Sequence, residues 1–152
     1  MYEITAKEIH QITAQVWSQL LGLPIKLVGA RPFSGNSPSL ACNVPLEGEW
    51  GGAVNLHVQA PLAKAMTARL YNLESEHVTH NAVLDAVGEL TNQVGGLIKS
   101  KVAPQSLLAV PQLSESPKVV IALPGYNKIG IASMVCLDAM LSVSVWKQGN
   151  HR

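Results

Sequence analysis

Aromatic and charged residues are both scarce in this 152-residue chain. Aromatics make up 5% of it, with a single Phe, and Asp, Glu, Lys and Arg together only 14%. There is no basic run and no aromatic-rich strand interleaved with Arg or Lys, and the formal net charge is +1, so nothing points to nucleic acid. The two cysteines, Cys42 and Cys136, both fall in strand-like segments. Buried, reduced thiols of a cytoplasmic protein are the expectation. No window of about 18 residues is free of polar groups, so no membrane span is expected. The opening Met1-Tyr-Glu-Ile-Thr5 lacks the basic and apolar segments of a signal peptide. Several catalytic motifs are missing as well. There is no Gly-x-x-x-x-Gly-Lys-Ser/Thr loop, no Gly-x-Ser-x-Gly elbow and no Cys-x-x-Cys. What the chain does have is apolar material. Hydrophobic residues reach 47%, enough for a sizeable core, and the length fits one domain over residues 1–152.

The order of elements follows from periodicity. Thr5-Ala-Lys-Glu8 reads as a capping box that opens a helix with the stripe Ile9, Ile12, Val16, Leu20, and Gly22-Leu-Pro24 ends it. Strand-like segments follow at 25–28, 40–46 and 54–58, the last with Asn55, His57 and Gln59 on a wet face. Glu47-Gly-Glu49 reads as a hairpin turn between the last two. Pro61 then opens a shorter helix to about Tyr71. A second long helix is predicted from about His80 to Val102, stopped by Pro104. Strand candidates follow at 107–110, 119–123, 129–137 and 141–146, the last two as a hairpin turning near Asp138. The result is an α+β domain with an antiparallel sheet of about six strands and long helices on it. A helix followed by about three strands, twice over, hints at duplication. A shift of 81 residues places Glu8 and Gln11 on Glu89 and Asn92, although Glu8 is better read as the third residue of a helical cap.

The most informative stretch is Asp85-Ala-Val-Gly-Glu-Leu-Thr-Asn-Gln-Val-Gly-Gly96. At about 100° per residue, Val83, Val87, Leu90, Val94, Leu97 and Ile98 form an apolar stripe, while Asp85, Glu89, Asn92, Gly96 and Lys99 fall on the opposite side. Glu89 and Asn92, three apart, are neighbours about 60° apart round the axis. Gly88, Gly95 and Gly96 each cost roughly 1 kcal/mol of helix stability relative to Ala. Gly88 and Gly95 share one flank, which suggests close packing of a second element there. Gly96 lies on the open face, a bare spot suited to another molecule's approach. On spacing alone, Glu-x-x-Asn also describes an ordinary solvated helix face. Other candidate sites are weaker. His77-x-x-His80 has no evident third metal ligand, Ser34-Gly-Asn-Ser-Pro38 reads as a loop, and Trp17, Trp50 and Trp146 read as core or sheet-packing residues.

Leu84-Asp-Ala-Val-Gly-Glu-Leu-Thr-Asn-Gln-Val-Gly-Gly96 resembles the signature of the CheX-like branch of the CheC/CheX/FliY chemotaxis phosphatases: Asp or Ser, a small residue, apolar, Gly, Glu, two of any kind, Asn, three of any kind, Gly. The element order is similar to CheX across nearly the whole chain. Pro61 to Leu73 matches the family's middle helix, and Val110-Pro111 its apolar-Pro strand, without the usual Thr-Val-Val after that proline. One good motif copy, as in CheX, contrasts with the two of CheC-type members. The resemblance implies a phosphatase for the aspartyl phosphate of a phosphorylated CheY-like response regulator. Asn92 would orient the attacking water, and Glu89 would pair with the receiver's active-site lysine. Asp85 and Gly96 would belong to the partner-binding surface. No cofactor is implied in this chain, because the required Mg²⁺ would sit on the receiver. A homodimer, through sheet edges, is also implied. The other reading is a non-catalytic receiver-binding or flagellar-switch-like module of the same fold, since activity resides in the site and not the fold.

Overall fold

The computed structural model describes residues 3–33, 38–48, 50–116 and 123–149. Helix α1 (Ala6–Leu21) leads into strands β1 (Lys26–Gly29), β2 (Ser39–Glu47) and β3 (Gly52–Gln59). Helix α2 (Ala60–Tyr71) and a 3-10 turn at Ser75–His77 precede the long helix α3 (His80–Val102). Strands β4 (Leu107–Leu108), β5 (Gln112–Ser116), β6 (Tyr126–Cys136) and β7 (Ala139–Gln148) follow. No helix among the described residues is long and apolar enough to cross a membrane.

The helix ends form for local chemical reasons. Thr5 and Glu8 make the expected capping box: the Glu8 N–H donates to Thr5 Oγ1 at 3.1 Å, and the Thr5 N–H to Glu8 Oε1 at 3.0 Å. Two otherwise orphaned donors are thereby satisfied. Gly22 ends α1 in the left-handed region at φ 64°, where glycine has no Cβ penalty. Arg69 of α2 then donates to the Leu21 and Gly22 carbonyls at 3.1 and 3.3 Å, so the C-terminal ends of α1 and α2 are tied together. Thr79 caps α3 by accepting from the Ala82 N–H at 3.1 Å.

The apolar stripe of α1 differs from the expected one. Ile9, Thr13, Val16, Trp17 and Leu21 are buried, Ile12 is half-buried, and Leu20 is 39% exposed. The helix is turned to bury the indole of Trp17, the largest fully buried side chain, and this rolls Leu20 outward.

Seven strands, against about six expected, form one sheet in the order β1-β6-β7-β3-β2-β4, with β5 also paired to β2. Every pairing is antiparallel. Strand β5 is the unexpected one. Its sequence, Gln-Leu-Ser-Glu-Ser, has a single apolar side chain and no alternation to betray it, because it is an edge strand. Residues 119–122 of the expected strand at 119–123 lie outside the described residues, and Leu123 is not in a strand. The hairpin of β6 and β7 turns on Leu137 and Asp138, both at positive φ (50° and 62°), as a two-residue turn matched to strand twist requires.

The two halves interlock. With β4 and β5 counted as one interrupted edge, the outer strand of each half pairs with the middle strand of the other, and the two last strands, β3 and β7, meet at the centre. The duplication hint from element order thus has a two-fold counterpart in the sheet. Glu8 has no freedom to act as a second copy of Glu89, because its carboxylate serves the cap and pairs with Lys101 at 3.1 Å.

One face of the sheet carries the core. Cys42, Leu56, Val143 and Ala132 form a single cross-strand row, and all are buried with the inner sides of the three helices. The opposite face is polar but not wet. Asn55 and His57, expected in solvent, are 4% and 6% exposed. Phe33 stacks on His57 at 4.2 Å, and Ser39 Oγ lies 2.8 Å from its Nε2. Burial lowers the His57 pKa, so this face favours the neutral ring.

Thr5 and Lys101 together generate a pH prediction. The Thr5 backbone N–H, followed by Lys101, lowers the Glu8 pKa from 4.5 to about 2. A carboxylate depressed on folding contributes stability above its unfolded value and loses it as pH falls toward the folded one. Wild type should therefore lose more of its denaturant midpoint between pH 4.5 and about 2 than Glu8→Ala does. Parallel curves for the two proteins would show that the cap is not coupled to the fold.

Candidate functional site

The orientation of α3 decides what it offers to solvent. Its inward side is Ala86, Val87, Gly88, Leu90, Thr91, Val94, Gly95, Ile98 and Val102. Burying Val87, Leu90, Val94 and Ile98 is worth roughly 1.5–3 kcal/mol each, so the helix cannot roll without large loss. Asp85 and Glu89 are then exposed, and Asn92, Gly96 and Lys99 half-buried, all on the expected outer side. Leu97, placed in the stripe, is 39% exposed. It stands across from Leu20 where α1 and α3 leave a depression between them, so neither leucine is covered.

A second element does lie on the glycine flank, though at ordinary contact distance and not closer. A Cβ on Gly95 would meet Leu108, Val44 and Val54 at 3.6–3.9 Å, and one on Gly88 would meet Pro111 at 3.8 Å. The second element is therefore β4 and the segment after it, together with β2 and β3. Gly96 is less bare than expected. Leu108 of β4 reaches under it, so that an added Cβ would lie 3.6 Å from Cδ1. Lys99, read as an outward group, donates instead to the Pro104 carbonyl at 3.1 Å and ties down the helix end.

The two motif side chains differ in their hydrogen bonding. Glu89 Oε1 accepts from Gln93 Nε2 at 3.0 Å, one turn on. The Asn92 carboxamide has no hydrogen-bond partner among the described residues. Asn92, Gln93, Gly96 and Leu97 form one wall of the depression, and Gln15, Val16, Gln19 and Leu20 of α1 the other; its volume is about 270 Å³. Near the other end of the face stands Tyr71. Desolvation, followed by the Asp85 and Glu89 carboxylates, raises its pKa, which keeps the phenol protonated beside two negative charges. Beneath the helix, burial raises the Cys42 pKa, partly offset by the Thr91 hydroxyl and the Gln112 backbone. Burial likewise raises that of Cys136. Both thiols are free and buried, as anticipated.

Sequence reasoning missed Gln93, although its spacing of four from Glu89 was a usable signal. It also missed Gln15, Gln19 and Tyr71, which only tertiary docking brings to α3. Of the expected loop Ser34-Gly-Asn-Ser-Pro38, residues 34–37 lie outside the described residues; His80 and the three tryptophans take structural places. His80 pairs with Glu115 of β5 at 3.0 Å, and no group of three His, Cys, Asp or Glu side chains among the described residues could hold a metal ion. Trp17 is buried in the core. Trp146 donates to Ser144 Oγ at 2.8 Å, with the Lys128 ammonium 5.9 Å from its ring. Trp50 packs against the core cluster under Lys147.

Three helices on one face of a seven-stranded antiparallel sheet is the fold shared with the CheX chemotaxis proteins. CheX of Vibrio vulnificus superposes with a TM-score of 0.73 at 16% identity, covering 92% of this chain and 96% of that one. CheX of Desulfovibrio desulfuricans gives 0.73 at 16%, covering 94% and 98%. CheX of Borrelia burgdorferi, solved as a complex with CheY, BeF₃ and Mg²⁺, gives 0.71 at 14%, covering 92% and 95%. At such identities the likeness is one of fold. No curated protein sequence matches the chain. The family model described as chemotaxis phosphatase CheX matches residues 40–133, more than half of the chain and the whole of the motif. The chain belongs to the CheX family.

The helix faces make a paired prediction. Gly95→Leu should overpack the contact with Leu108, Val44 and Val54 and destabilise by about 1–3 kcal/mol. Gly96→Leu meets one flexible side chain and otherwise fills the depression, so its melting temperature should stay near or above wild type. Melting curves that rank the two variants the other way would show that α3 is turned differently.

Proposed function

We propose that this chain speeds hydrolysis of the aspartyl phosphate on a CheY-like response regulator. The observation that carries the reading is Asn92: a half-buried carboxamide, without a hydrogen-bond partner among the described residues, beside an exposed carboxylate on the outer face of a rigid helix. A carboxamide holds water through both carbonyl and NH₂ without titrating. An acyl phosphate is already activated. A water held in line with the scissile P–O bond is the main thing missing, and positioning alone supplies large factors. The water oxygen bonds to phosphorus, the bond to the aspartyl oxygen breaks, and inorganic phosphate leaves.

Glu89 has the complementary role. Its exposed carboxylate meets the receiver's active-site lysine and registers the two proteins so that Asn92 reaches the phosphoryl group. Asp85, one turn earlier, and Gly96, one turn beyond Asn92, flank this contact and belong to the docking surface. The Mg²⁺ that neutralises phosphoryl charge belongs to the receiver in this reading. The CheX of Borrelia burgdorferi, which shares the fold, was solved with CheY, BeF₃ and Mg²⁺, and that supports a receiver as partner. A cytoplasmic location and a homodimer go with the same proposal. The open edge beyond β4 and β5, where Leu107 and Val110 are 72% and 78% exposed, supports a sheet-edge dimer.

Asn92→Ala should keep receiver binding and the melting temperature while slowing phosphate loss by roughly a hundredfold or more. Decay of a phosphorylated receiver with the variant present measures this. An undiminished rate would remove Asn92 from the chemistry and favour the non-catalytic, switch-like module.

Glu89→Ala should weaken binding to the phosphorylated receiver, and Glu89→Lys should weaken it further by setting lysine against lysine. Fluorescence anisotropy titration reads both. Equal affinity of wild type and Glu89→Lys would end the ion-pair role.

A further inference from the structure

Glu89 and Asn92 stand close enough on α3 to satisfy each other. Side chains three apart on a helix are about 60° apart, and a carboxylate accepts what a carboxamide NH₂ offers. An Asn92 bonded in that way would have one of its two N–H donors occupied and its orientation set by Glu89, and would be a poorer holder of water. The bond that forms is a different one. Glu89 Oε1 accepts from Gln93 Nε2 at 3.0 Å, and Asn92 makes no side-chain hydrogen bond among the described residues. Gln93 stands about 40° from Glu89, on the flank away from Asn92. Two amides thus face one carboxylate from opposite sides, and Gln93 holds it.

We infer that Gln93 is a positioning residue: by drawing the Glu89 carboxylate away from Asn92, it keeps the Asn92 carboxamide free for water and sets Glu89 for a cation. The inference rests on the receiver-phosphatase reading for its consequence in rate, but not for its geometry. Gln93 Oε1 and Glu89 Oε2 have no hydrogen-bond partner among the described residues. A carboxylate oxygen and an amide carbonyl side by side fit an ammonium, which donates three hydrogen bonds and accepts none. Asn92 and Gln93 share the same wall of the α1–α3 depression, so a partner seated there would touch both amides.

A double-mutant cycle read by two measurements tests this. The first is the side-chain amide resonance of Asn92 in the free protein. Removing Glu89 (Glu89→Ala) should barely move it when Gln93 is present. The same removal in a Gln93→Ala background should move it severalfold more, because Glu89 has turned to Asn92. The second is the single-turnover rate of phosphate loss from a phosphorylated CheY-like receiver at saturation. Gln93→Ala should slow it by about 3- to 10-fold in the wild-type background and by less than about twofold when Glu89 is already Ala. Gln93→Lys, which again offers a donor at this spacing, should restore the saturated rate but raise KM, since it neutralises Glu89. If Glu89→Ala moves the Asn92 resonance equally in both backgrounds, or if Gln93→Ala slows the reaction equally with and without Glu89, the inference is overturned. A wild-type protein that does not speed phosphate loss would overturn the proposed function instead, and the resonances would still decide whether Gln93 controls Asn92.

Discussion

Close packing of α3 on the sheet is the constraint from which the exposed chemistry follows. At Gly95 a Cβ would lie in ordinary contact, at 3.6–3.9 Å, with Leu108, Val54 and Val44, so the helix sits directly on β2, β3 and β4 there. Around that point Val87, Leu90, Val94 and Ile98 are buried, and together they fix the rotation of a 23-residue helix. A rigid helix that cannot roll presents its outer side chains at fixed angles.

The outer face built on that platform relies on few contacts. Glu89 is held by one neutral amide, Asn92 by none among the described residues. The surroundings come from other elements. Arg69 ties the end of α2 to the end of α1, which brings Tyr71 toward Asp85 and Glu89. The two exposed leucines, Leu20 and Leu97, flank an unfilled space between α1 and α3. Such a surface is rigid beneath and open above, which suits the proposed role of meeting a receiver's phosphoryl group while supplying little chemistry of its own.

Much of this was legible in the sequence because it is written locally. The Thr5–Glu8 capping box, the stops at Gly22 and Pro104, and the 3.6-residue period of the motif helix each depend on residues within a turn or two. The outward placement of Asp85, Glu89, Asn92 and Gly96 follows from the same period. What escaped depends on distant partners. Leu20 and Leu97 have core-like spacing, yet they lie where the paths of two helices separate. His57 and Asn55 alternate as a wet face should, but Phe33 and Ser39 cover the histidine. Strand β5 has almost no apolar signal, because it is recruited by the edge of β2 and not by the core. Gln93 carried a local signal, its spacing of four from Glu89, but the Glu-x-x-Asn pattern draws the eye to Asn92 instead.

The interlocked sheet also has a consequence for biosynthesis. Strand β7 follows every other strand along the chain, yet it lies between β6 and β3 near the middle of the sheet. Until residues 139–148 leave the ribosome, β3 has no neighbour on that side, and the apolar row of Val54, Leu56 and Val58 has one unpaired edge. Strand β1 must likewise wait for β6, roughly a hundred residues later. The sheet therefore cannot close one half at a time during synthesis, and β3 stays unpaired on that side until β7 has followed it out.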